Sequence, residues 1–268
     1  NRMSVLDQAG YTEALAGAIN AAALTKYPWD VVPEWKLTAQ ELSRHRVLVL
    51  PNVTALSDAQ AGLIEEWVRA GGRLFAAFRT GLRDERGEPR ADFALARALG
   101  VEFAGMEESY AGSQQYGSYL EGRAGPLWAD LPDTALGVAP PMVRARPTTA
   151  EVLATHTLPA CKVTPEQWVN WWSPPPDAKT EWPAVTLNRL GAGLALWVGF
   201  DLFTMLRQPG GHPFVWARQF LTAALERVLL PDPCLRVHTA CPEALDATYF
   251  QVNGKEQVLV HLLNRSEE

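Results

Sequence analysis

Apolar and polar positions in the first hundred residues alternate between a helical spacing and short continuous runs. Tyr11 to Leu24 is Ala-rich, with apolar positions recurring at helical intervals. Asp30 to Pro33 reads as a short strand, and Thr38 to Ser43 as one or two helical turns. Val47 to Leu50 is an unbroken apolar run, the pattern of a parallel strand covered on both faces. Ser57 followed three positions later by Gln60 is the signature of a capping box. Leu63, Ile64, Trp67 and Val68 then give one apolar helix face, and Gly71-Gly72 supplies the stop. Arg73 to Phe78 is the next strand, so the order β-α-β predicts a right-handed crossover and a parallel pair. Asp92 to Leu99 reads as a further helix closed by Gly100, and Val101 to Phe103 as a further strand.

Periodicity weakens over residues 104–183, where Gly and Pro are frequent. Met142 to Thr157 alternates enough to suggest strands, and Pro174-Pro175-Pro176 marks a surface loop or extended segment. Ala184 to Leu190 and Leu194 to Phe200, joined by Gly191-Ala192-Gly193, read as a β-hairpin. Phe214 to Leu230 predicts an amphipathic helix that stops at Pro231 and Pro233. Beyond it Leu235 to Ala240, Ala247 to Val252 and Val258 to Leu263 are strand-like, with Asn253-Gly254 as a hairpin turn. The expected organisation is an α/β domain over residues 1–232 and the start of a small all-β domain over 233–268. The start, Asn1 to Ser4, lacks the pattern of a signal peptide and both ends look like cuts; a cytoplasmic location is expected.

Charge narrows the partners. With 24 basic against 30 acidic residues and no basic run, neither nucleic acid nor an anionic membrane surface is expected. No apolar stretch approaches the roughly 18–20 residues that span a bilayer. The three cysteines, Cys161, Cys234 and Cys241, show no CxxC spacing and are expected to be reduced, although Cys234 and Cys241 are near enough in sequence to pair. His45, His156, His212, His238 and His261 are scattered without metal-ligand spacing. Both Gly-rich phosphate-binding signatures are absent. Neither a metal nor a cofactor is expected.

The segments Val47 to Asn52, Leu56 to Gln60 and Trp67 to Leu74 together resemble the middle, or trimerisation, domain of family 42 β-galactosidases. Thr80 to Gly87, Asp92 to Leu95, Leu99 to Val101, Gly193 to Asp201 and His212-Pro213 extend the resemblance in the same order. The resemblance implies a flavodoxin-like, class I glutamine amidotransferase-like α/β fold: a parallel sheet with helices on both faces. It also implies a module that lies between a catalytic barrel and a small β-domain. A barrel needs about 250 residues of its own, so the catalytic glutamates of the family map onto no residue here.

Three kinds of chemistry remain to be weighed. An amidotransferase nucleophile would be a cysteine on a strained turn after a strand, but Arg79-Thr80-Gly81 stands at that turn and Cys161 lacks the signature. Glycosidase carboxylates sit about 5–9.5 Å apart across a sugar, which the adjacent pairs Asp84-Glu85 and Glu107-Glu108 rarely achieve. No catalytic residue is therefore expected. Ligands in open α/β sheets bind at the carboxyl ends of strands, making Arg79, Thr80, Asp84 and Glu85 the first ligand-binding candidates. Among 10 tryptophans, Trp168, Trp171, Trp172 and Trp182 fall in one loop-rich stretch, suited to an interface, a sugar contact or plain packing. The reading that follows is a non-catalytic structural and oligomerising module, trimeric or dimeric, with a galactoside-type carbohydrate as a further partner of its Trp-rich loop. The alternatives are a carbohydrate-binding module and a stand-alone hydrolase or amidotransferase-like enzyme.

Overall fold

The computed structural model describes residues 8–107, 117–123, 125–160, 175–207, 215–230, 235–240, 244–252 and 257–264. Its helices are α1 (Gln8–Thr25), α2 (Ala39–Leu42), α3 (Asp58–Arg69), α4 (Ala96–Leu99), α5 (Leu202–Leu206) and α6 (Val215–Ala223). Its strands are β1 (Val47–Leu50), β2 (Arg73–Ala77), β3 (Val101–Glu107), β4 (Ser118–Glu121), β5 (Leu136–Val138) and β6 (Met142–Pro147). They continue with β7 (Glu151–Pro159), β8 (Pro176–Leu190), β9 (Gly193–Val198), β10 (Leu245–Gln251) and β11 (Val258–Asn264).

The main sheet has seven strands in the order β1-β2-β9-β8-β7-β4-β5. Alternation along its centre sorts side chains into two cores. Phe75 and Ala77 of β2, with Leu196 and Val198 of β9, pack under α1, α5 and α6. Leu74 and Ala76, with Ala195 and Trp197, pack under α3 and α4. Both faces of the sheet therefore carry helices, as expected, and β1 supplies Val47 and Val49 to one core and Leu48 and Leu50 to the other.

The expected parallel sheet is corrected to a mixed one. Only β1, β2 and β9 run parallel; the pairs β9-β8, β8-β7, β7-β4 and β4-β5 are antiparallel. For β9-β8 the cause is the length of the connection. A parallel neighbour needs a crossover of about a dozen residues or more, whereas Leu190 pairs with Gly193 across Gly191-Ala192. The hairpin read from the sequence thus already broke the parallel pattern. A separate two-stranded sheet pairs β3 with β6.

Local signals decide the other elements. Ser57 and Gln60 form the full reciprocal capping box of α3. The expected helix over Asp92 to Leu99 shrinks to α4, because the Asp92 carboxylate accepts the amides of Phe93 and Phe103 at 2.8 and 2.7 Å. That side chain ties the loop to β3 and competes with a helical start. The expected strand at Asp30 to Pro33 makes no ladder; a 3-10 turn, Glu34–Lys36, follows it. The expected helix to Leu230 is α6 followed by a π-helical turn, Ala224–Leu229. Leu235 to Ala240 forms no strand, while β10 and β11 pair antiparallel as anticipated. The hairpin leans on the end of α1, where the Tyr249 hydroxyl donates to the Lys26 carbonyl and accepts the Val237 amide.

Two points of close packing yield tests. A Cβ added at Gly17 would stand 1.7 Å from the Phe203 carbonyl oxygen, so α1 and α5 touch backbone to backbone. Gly17→Ala is expected to destabilise by about 1–3 kcal/mol, since overpacking outweighs the gain in helix propensity; an unchanged urea midpoint would refute the contact. His156, on β7, is fully buried beside Phe200, with Nδ1 2.7 Å from the Ser118 hydroxyl. Burial lowers its pKa from 6.5 to about 3. The unfolded chain therefore takes up a proton that the folded chain refuses, and this contribution to stability, complete above pH 6.5, is lost as the pH falls towards 3. Between pH 7 and 5 the loss is about 2 kcal/mol. Urea unfolding of His156→Asn should show a pH dependence shallower than wild type by that amount, and parallel curves would contradict it.

Candidate functional site

The carboxyl ends of β1 and β2 form the place where an open α/β sheet presents ligands. Here the chain leaves β2 through Phe78, whose φ of 55° lies in the left-handed region. For a bulky non-glycine residue that is a strained conformation, costing on the order of 1–3 kcal/mol. Its ring is buried in the core under α3, and its carbonyl accepts the Trp197 indole N–H at 3.3 Å. The strained turn after the strand is present, and it carries a phenylalanine with no nucleophilic atom.

The sequence candidates at this edge are built into the loop itself. Arg79 lays its guanidinium over the Phe78 ring, 4.9 Å from the centroid. Thr80 is fully buried, and its hydroxyl lies 2.7 Å from the Ala77 carbonyl and 3.1 Å from that of Leu50, which joins β1 to β2. Asp84 organises the turn that follows: Oδ1 accepts the amides of Arg86 and Glu88, both at 2.9 Å. The hydrogen bond from the Glu88 amide, reinforced by that of Arg86, holds its carboxyl below the usual carboxylate range. Glu85 is exposed at the tip. Arg90 pins the same loop to the start of α3 through Asp58 at 2.7 Å and the Leu56 carbonyl at 3.0 Å. Asn52, two residues beyond β1, also has a left-handed φ of 56°. Its amide is buried with neither polar atom hydrogen-bonded, a feature that no local sequence signal announces.

The Trp-rich stretch is only partly described. Trp168, Trp171 and Trp172 lie outside the described residues, as do Cys161, Cys234, Cys241, His212 and Glu108. Trp182 is half-buried on β8, with the Arg144 guanidinium over its ring at 5.3 Å. Trp128, Trp197 and Trp216 are core residues whose indole N–H groups each reach a backbone carbonyl. Trp29 and Trp35, which sequence patterning did not single out, stand exposed before β1.

Two clefts lie elsewhere. One of about 510 Å³ is lined by Glu121, Arg123, Trp128 and Lys179 at the β4-β5 end of the sheet. Its polar groups are engaged internally: Glu121 accepts from Thr157 at 3.0 Å and faces Lys179 at 3.7 Å, and Arg123 donates to the Pro132 and Thr134 carbonyls. A second, of about 430 Å³, sits between the end of α1 and residues 236–240. Ser118 and His156 resemble a nucleophile–base pair by contact alone, but both are fully buried and neither lines these clefts. Among the described residues no group of three His, Cys, Asp or Glu side chains is placed to hold a metal ion. No described helix is long and apolar enough to cross a membrane.

Comparison with known proteins agrees with this architecture. The fold is similar to that of a catalytic mutant of a family 42 β-galactosidase from G. stearothermophilus, with a TM-score of 0.65 at 18% identity. That match covers 97% of this chain and 31% of the other. The β-galactosidase from Bacillus circulans sp. alkalophilus gives a TM-score of 0.65 at 14% identity, covering 96% of this chain and 32% of its own. An α-L-fucosidase isoenzyme from Paenibacillus thiaminolyticus gives 0.71 at 19% identity, with coverages of 95% and 34%. The chain thus spans about a third of the length of the proteins it matches. Residues 20–209 match the family described as the beta-galactosidase trimerisation domain, and the chain belongs to that family.

Proposed function

We propose that this chain is a non-catalytic, self-associating module of a β-galactosidase-like glycoside hydrolase. The family match over residues 20–209 carries the reading. The strained turn after β2 supports it, because that position holds Phe78 rather than a nucleophile. The carboxylate geometry points the same way: Asp84 spends its Oδ1 on the turn that contains Glu85. A module of this kind orders neighbouring subunits and leaves the chemistry to other parts of the assembly. Trp182 and the tryptophans at 168, 171 and 172 would then help wall the sugar cleft of a neighbour.

Two measurements test the reading. Light scattering at two protein concentrations should give the mass of an oligomer, a trimer by the family's description; a monomer at both would overturn self-association. The chain should also release no chromophore from nitrophenyl galactosides or fucosides. Turnover that disappears on Glu85→Gln would overturn the non-catalytic role.

A further inference from the structure

The segment before β1 presents apolar surface that the fold does not use. Trp35 is 83% exposed, Val31 52% and Trp29 47%. Three other tryptophans in the same chain are core residues with bonded indole nitrogens. The two exposed rings alone offer about 300 Å², a substantial fraction of the roughly 800 Å² that one partner contributes to a standard interface.

The end of the segment that carries Trp35 is anchored. Pro28 and Pro33 restrict its backbone, and Pro33 is extended at φ −63° and ψ 148°. The 3-10 turn is closed by the Lys36 and Leu37 amides on the carbonyls of Pro33 and Glu34. Leu37 packs into the core under α3, and Glu34 meets Gln60 at 3.5 Å. The turn is therefore anchored on one side while Trp35 stands clear on the other. Such preorganisation lowers the entropy cost of docking.

Neither of the two clefts includes Trp29, Val31 or Trp35. Small ligands take concave sites, whereas exposed indoles interspersed along the chain with Asp30, Glu34 and Lys36 match the aromatic and polar composition of a protein interface. Another exposed apolar group among the described residues, Phe250, Leu259, Leu262 and Leu263 on β10 and β11, lies outside residues 20–209. The Trp29–Trp35 surface lies inside the stretch that matches a trimerisation family.

We propose that Trp29, Val31 and Trp35 form the surface by which one copy of this chain docks on a second copy. The contact is heterologous, with the indoles of each copy meeting a different face of the next, as closure into a trimer requires. The proposal rests on the self-association reading above and assigns it a place.

The test is sedimentation velocity of the full chain and of Trp35→Ala and Trp29→Ala, with thermal unfolding run in parallel. Truncating an indole at the centre of an interface typically costs 2 kcal/mol or more, so each variant should dissociate at roughly thirtyfold higher concentration than wild type. The unfolding temperature extrapolated to low concentration should not move. Acrylamide quenching should increase on dilution of the wild type and lose that increase in the variants. An oligomeric wild type whose variants keep the same dissociation constant overturns this surface and leaves self-association standing. A monomeric wild type overturns both. Galactose that quenches wild-type fluorescence but not that of Trp35→Ala, with no change in mass, would assign the indoles to sugar and overturn the docking role.

Discussion

The fold depends on β9 lying parallel against β2. After β2 the chain builds β4, β5, β7 and β8 farther along the same sheet before it returns, as β9, to the position next to β2. Both strands are apolar on both faces, so neither has a side that water can cover. The helices on the two faces follow from that requirement. The return is fixed where the excursion closes. The Ala192 amide donates to the Arg69 carbonyl at the end of α3, and Leu194 donates to Gly72. A Cβ at Gly193 would stand 1.9 Å from the Val68 carbonyl oxygen, so only glycine fits there. The glycines around this turn let it sit directly on the end of the β1-α3-β2 unit.

What the sequence made legible is what local chemistry specifies. The capping box at Ser57, the Gly71-Gly72 stop and the turn at Gly191-Ala192 each act within a few residues, and the elements they predict are present. The antiparallel half of the sheet was less legible. The short strands β4 and β5 are defined by their pairing partners, and three or four residues hold too little periodicity to announce them. Asp92 shows the opposite failure. Its neighbours have helical spacing, but its carboxylate binds the amides of Phe93 and Phe103, one and eleven residues along the chain, and settles the loop. The parallel expectation for the whole sheet came with the family resemblance, and the two-residue turn at Gly191-Ala192 makes β8 antiparallel to β9.

The candidate site was legible as a place and less so in its roles. The loop Arg79 to Glu85 sits at the carboxyl ends of the parallel strands, where the fold argument put it. Yet Thr80 and Asp84 spend their polar atoms holding that loop together. Sequence counts donors and acceptors; it does not say which are already used. Tryptophan shows the same gap, since an indole in the core and one in solvent look alike in the chain. Trp197 and Trp216 differ from Trp35 only in whether a carbonyl and an apolar wall surround them.

The strain at Phe78 joins the two themes. A bulky residue at positive φ persists only where its surroundings outweigh the conformational cost. The Phe78 amide donates to the Val198 carbonyl at 2.7 Å, and its own carbonyl accepts from the Trp197 indole. Both partners belong to β9, so the turn is held by the strand whose return defines the fold. A strained turn can serve to expose a reactive atom; here the same bonds hold a ring that fills the core under α3. The geometry that would expose a reactive atom serves packing instead. A module with its loop ends fixed in this way is suited to carrying rigid surfaces to a neighbour.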